Sequence, residues 1–258
     1  MALAQPTTAA RGDPAAQLAQ EMLEAGNVRL QGQRLAKLYR QAGLEIESRQ
    51  ASVALTAGLA QGEQSLRRLA RYAQLPAASR PYGRCLSVWQ EFRVVVGESY
   101  SAAAAERAGQ LAEELAIHAG KLALQIEAGA ESSAGRALDG AARLNMFAQR
   151  LARLYFQSLA GDRSQGLITD LAQTRSEFAS GLLELERMPL NGQQAREALV
   201  LVRNQWIFLD EAVRQATMRQ GGRRDARHVA TSSERIQETL SGLAAQYREA
   251  LLAAARAQ

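Results

Sequence analysis

The sequence predicts an all-α protein, tandem antiparallel four-helix bundles with about eight helices, and three observations carry that expectation. Ala, Leu, Gln, Arg and Glu dominate while aromatic residues make up only 5%, the composition of long packed helices. Apolar residues recur at helical rather than alternating spacing. A stretch near the start, Ala25 to Tyr39 (AGNVRLQGQRLAKLY), returns without a gap 116 residues later as Ala141 to Tyr155 (AARLNMFAQRLARLY), which is the mark of a duplication. The 258 residues suffice for two domains that each bury a core. A lead over 1–12, rich in Pro, Thr, Ala and Gly, is expected to be disordered; the first bundle takes 13–128 and the second 136–258.

Taken in order, Asp13 reads as an N-cap with Pro14 at the first helical position, and helix one runs from there to about Gly43. Helix two spans Glu47 to Leu75 and ends before Pro76. Its counterpart runs from Ser164 to Met188 and ends before Pro189, with Leu66 and Leu69 recurring as Leu182 and Leu185. After loops over Pro76 to Pro81 and Pro189 to Gly192, third helices carry Trp89 and Trp206. These are spaced 117, so a loop has gained one residue, where gain costs least. Both tryptophans read first as core and only second as ligand platforms. Fourth helices run from Ser101 to Ala128 and from Arg223 to Ala255. All five prolines then fall outside helix interiors. The junction Glu127 to Gly135 is either a loop or a weak point in one continuous helix.

The recurring stretch carries the candidate chemistry. Wound at 3.6 residues per turn, Leu18, Met22, Ala25, Val28, Gly32, Leu35, Ala36 and Tyr39 fill one arc of roughly 140°, and Arg29 lies inside it. Arg34 and Lys37 project elsewhere, as on a solvated face. In the second copy Asn145 takes the place of Arg29. A guanidinium in an apolar arc is costly unless it is paired or reaches water. Arg29 is therefore either an edge residue paired with a carboxylate of another helix or the contact of an anion pocket. Gly26 and Gly32 would allow close helix approach around it; Asn27 and Gln31 are weaker candidates. Leu23, Leu30 and Met146 form a second stripe, expected to be exposed and suited to a partner helix.

Ala25-Gly26, Arg29-Leu30 and Gln33-Arg34-Leu35-Ala36-Lys37 resemble the first-helix signature of the PilJ-type sensor domain of pilus-linked chemotaxis transducers. The same stretch is similar to the P-box of the nitrate and nitrite sensor kinases NarX and NarQ. The resemblance implies a periplasmic four-helix bundle for signal transduction, with nitrate or nitrite bound by Arg29 between two first helices. Site candidates are thus Arg29, Gly26, Gly32 and Asn145. The sequence departs from the pattern at Asn145, and no membrane span, HAMP segment, methylation helix or kinase domain follows. Two arrangements stay open: helix one of each copy packs together, bringing Arg29 opposite Asn145, or two chains form a homodimer through the first copy. The competing function is a helical interaction protein that partners a membrane sensor, transporter or pilus component without any small ligand.

Other classes are disfavoured. One cysteine, Cys85, forms no intrachain disulfide and no cysteine-built zinc site. His118 and His228 lack ligand-spaced neighbours, so no metal is expected. No phosphate loop, nucleophile elbow or nucleophile–base pair is present, so neither catalysis nor a cofactor is expected. The net charge of +5 and pI near 9.8 come from scattered arginine. The densest run, Arg219 to His228, falls at an expected turn without aromatic platforms, which argues against nucleic acid. No apolar run is long enough for membrane insertion. Met-Ala-Leu-Ala-Gln has a small-x-small pattern like a signal-peptidase site. It suggests a mature periplasmic chain, or a cytoplasmic one if Met1 is the native start.

Overall fold

The computed structural model describes residues 14–128, 132–217 and 223–256, and among them every regular element is helical. The eight helices are α1 (Pro14–Gly43), α2 (Ser48–Arg68), α3 (Pro76–Gly97), α4 (Ala102–Glu127), α5 (Ser133–Leu159), α6 (Gln165–Glu186), α7 (Gln193–Thr217) and α8 (Arg223–Arg256). A 3-10 stretch, Ala70–Gln74, links α2 to α3. Ser101, Ser132 and Ser164 start α4, α5 and α6 by accepting hydrogen bonds from the backbone N–H of Ala104, Gly135 and Leu167, each satisfying an otherwise orphaned donor. The junction is therefore two helix ends: α4 stops at Glu127 and α5 begins afresh behind Ser132. The expected lead, the Asp13 cap, residues 129–131 of the junction and Arg219 to Gly222 of the basic run lie outside the described residues.

Three expectations need correction. Helix two stops at Arg68, and the chain tightens into the 3-10 stretch before Pro76. The third helix starts at Pro76, so Pro81 lies inside it. Pro76 holds a first-turn position whose missing N–H has no intrahelical partner, and Pro81 removes a single bond near the helix start, where the loss is most easily borne. Arg224 to His228 belong to the first turns of α8, not to a turn.

Within the first set α1 packs on α2 and α4, and α3 on α4; the same pairings recur as α5 on α6 and α8, and α7 on α8. Gln33 donates to the Ala112 carbonyl and the Tyr39 hydroxyl to that of Ser99, so α4 runs against α1. Gln149 donating to Ser233 O, with Asn145 on Gln237 O and Ser241, sets α8 against α5. The sets join where α1 lies against α5 and α8, and one apolar core runs through both. Trp89 is buried in that core, whereas Trp206 is half-buried and stacks on Phe178 at 4.4 Å.

Helix α1 consequently has no solvated face. From Glu24 to Gln41 only Asn27 and Arg34 escape full burial. Arg34 and Lys37 are not on a water-facing side, and Leu30 and Met146 are buried rather than exposed, with Leu23 half-buried beside them. The reason is geometric: one apolar arc assumes neighbours on one side, and α1 has α2, α4, α5 and α8 around it.

Candidate ligand site at the seam between α1 and α5

The two helices come into close contact at Gly26 and Ala142, which occupy matching positions of the recurring stretch. A Cβ on Gly26 would stand 2.7 Å from that of Ala142, so only glycine permits this approach. One and a half turns before Asn145, Asp139 of α5 meets Arg29: the guanidinium Nη2 lies 2.5 Å from Oδ1, and both side chains are largely buried. Arg143 stands 3.9 Å from the other Asp139 oxygen. Glu127, at the end of α4, shares a hydrogen bond with Asp139; burial first, then that bond and the neighbouring negative charge, push its carboxyl up to about 7 against the opposing pull of Arg29 and Arg143. Arg29 Nε is buried without a partner.

The four sequence-predicted residues thus separate. Gly26 and Asn145 share a recess of about 210 Å³ whose only charged lining residue is Glu24. Arg29 engages Asp139 instead of facing Asn145, and Gly32 packs on Ala112 and Leu115 of α4. Asn27 donates to Ser65 and Gln31 to Gln61, so both weaker candidates brace α2.

Sequence reasoning missed a second set of buried charges. Lys37 is fully buried and donates to Glu234 at 2.6 Å and to Ser233; Arg34 clasps the same carboxylate through Nε and Nη2. Burial alone would raise Glu234, but the two cations outweigh it and hold the carboxyl down at about 2. For Lys37, loss of water lowers the ammonium pKa against the pull of Glu234. Adding 116 to Arg34 and Lys37 gives Arg150 and Arg153, and both reach Glu113 of α4. Cations of the first set are therefore neutralised by the second, and the reverse. Arg153 also donates to Gln33 Oε1, whereas the matching Gln149 Oε1 has no partner. The signal was present as Gln33-Arg34 and Gln149-Arg150 at identical spacing, but nothing in one helix tells which charges another helix will cover.

A cavity of about 750 Å³ lies between α5 and α6. It is walled by Leu144, Phe147, Leu185 and Met188 and rimmed by Glu127, Asp139, Glu177, Glu184, Arg136 and Arg143. The matching groove of the first set is filled: Glu24 accepts from Ser65 and from Arg68, both at 2.5 Å, and Glu21 accepts from Tyr72. At the 116 spacing Glu24 and Ser65 become Gly140 and Gly181, and Arg68 becomes Glu184. Loss of two facing side chains opens the cavity. Among the described residues no group of three or more His, Cys, Asp or Glu is placed to hold a metal ion, and no helix is long and apolar enough to cross a membrane.

Comparison with protein-family models, curated proteins and solved structures yields no match to this chain.

Proposed function

We propose that the chain is a sensor-type binding module, PilJ-like in its first-helix signature and, by that resemblance, periplasmic, which takes up a small ligand beside the Arg29–Asp139 bridge. The supporting observation is contiguity: Asp139 lines the 750 Å³ cavity and also bridges α5 to α1 through Arg29. A ligand that displaces or recruits this carboxylate changes the contact between the two helix sets, which is what a sensor requires. Nitrate and nitrite are the first anions to test. Because Asp139 already occupies the guanidinium, an anion gains Arg29 only by releasing that carboxylate, and a protonated Glu127, which can donate to the released carboxylate, eases the exchange. Stabilisation by nitrate should therefore grow as pH falls below about 7. The paired variant Arg29→Gln/Asp139→Asn keeps a neutral hydrogen bond and should lose the response. A nitrate shift that is independent of pH and survives in this variant would refute binding at the bridge.

A second reading, an interaction protein that partners a membrane sensor, transporter or pilus component, is favoured by α7. Val200, Leu201, Ile207 and Phe208 form a stripe on it, each 56–59% exposed. The matching residues of α3 are Gly83, Arg84, Gln90 and Glu91, so packing within the fold does not demand an apolar face there.

A further inference from the structure

We infer that the cavity between α5 and α6 binds an organic cation, an ammonium or guanidinium group carried on an apolar body. The inference rests on the ligand-binding reading above and names the class of ligand from the cavity's own chemistry. Its volume of about 750 Å³ falls within the range of small-molecule sites. Leu144, Phe147, Leu185 and Met188 supply an apolar wall for the body of such a molecule. Four carboxylates and two arginines line the cavity, and with Arg29 bound to Asp139 the acidic groups outnumber the basic ones by one.

The excess is unevenly covered. Asp139 is held by Arg29, with Arg143 further off. Glu177 accepts from Gln173. Glu127 is bonded to another carboxylate, Asp139; burial, and after it that bond and the neighbouring negative charge, raise its carboxyl, with Arg29 and Arg143 offsetting only part of the rise. The first set shows what satisfies such a groove: there the carboxylate of Glu24 is met by the guanidinium of Arg68. In the second set the matching residues are Gly140 and Glu184. The built-in cation has been replaced by an acidic group, Glu184, and the space beside it vacated, which leaves the place of a guanidinium to be taken from solution. An ammonium between Glu127 and Glu184 would restore the charge balance, and exclusion of water by the apolar wall would strengthen the attraction.

Phenethylamine and 3-phenylpropionate, which share a ring and a short chain but differ in charge, are the test pair, used with the full chain in thermal-shift and calorimetric titrations. The amine should raise the melting temperature and the carboxylate should not. Glu127→Gln and Glu184→Gln should each weaken amine binding by about tenfold. Gly140→Leu, whose Cβ would meet Leu185 at an ordinary 3.5 Å, should fill the cavity and abolish binding without lowering the melting temperature. Equal responses to amine and carboxylate, or undiminished binding by Gly140→Leu, would overturn the assignment. If nitrate acts through Arg29 and the amine does nothing, the binding reading stands and the organic cation falls. Silence from both at about 10 mM would bring down both.

Discussion

Lys37 shows how little a single helix reveals about the fate of its charges. By helical projection it leaves the apolar arc, and the expectation of a solvated side follows; the fold instead seals it against Glu234 and Ser233. Replacing Glu234 with Gln strands two cations, Arg34 and fully buried Lys37, and should cost roughly 3–5 kcal/mol in denaturant unfolding. Lys37→Arg is expected to act in the other direction. It reproduces Arg153, which donates to Gln33 Oε1, and gives Gln149 Oε1 the donor it lacks, a gain of about 1 kcal/mol. Glu127 adds a pH dependence of definite sign. Its folded carboxyl keeps a proton to about pH 7 that the unfolded chain releases near 4.5, so this contribution to stability is full at low pH and is lost as pH rises between those values. Melting temperatures measured across that window should fall in the wild type, and fall less in Glu127→Gln. The polar residue in the arc at position 29 was legible; its partner Asp139 was not, because it replaces Leu23 of the first copy and so breaks the repeat that drew attention to the stretch.

At the scale of the element, the helix boundaries were readable wherever local chemistry sets them. The Ser101 and Ser164 caps act within one turn, and α4, α6 and α8 begin within a residue or two of expectation. The end of α2 was not readable, because the 3-10 stretch depends on burying Leu69 and Tyr72 rather than on a breaking residue. The glycines of α1 and α5 differ in kind. Gly26 is held by contact with Ala142, so Gly26→Ala should push the seam apart and cost about 1–3 kcal/mol. Gly140 has room beside it, and Gly140→Ala should stabilise the chain by about 1 kcal/mol through helix propensity alone. Chemical denaturation of the two variants checks both signs.

For the whole molecule, the spacing of 116 aligned α1 with α5 and α2 with α6, but it fails for α4 and α8. There Ala112 and Ser233, which receive the matching glutamine bonds, stand 121 apart, and few shared residues survive to announce the shift. Consequently the partners Glu113 and Glu234 could not be paired from sequence. The α7 stripe carries its own test: if it is a docking face, Leu201→Lys/Phe208→Lys should leave melting temperature and amine binding unchanged while abolishing any self-association seen by light scattering.

The exchange of charges across the seam, Arg34 and Lys37 to α8 and Arg150 and Arg153 to α4, makes each half a lock whose key is on the other. Cutting the chain between α4 and α5 breaks no bridge, so residues 1–128 and 132–258 produced together should find each other and co-elute as a one-to-one complex. Produced alone, each half keeps both a pair of cations and a carboxylate that fit the opposite sides of a twin, Arg34 and Lys37 with Glu113, Arg150 and Arg153 with Glu234. Orphaned halves should therefore pair with themselves, and the peptide link between α4 and α5 serves to decide which halves meet rather than to hold them once they have.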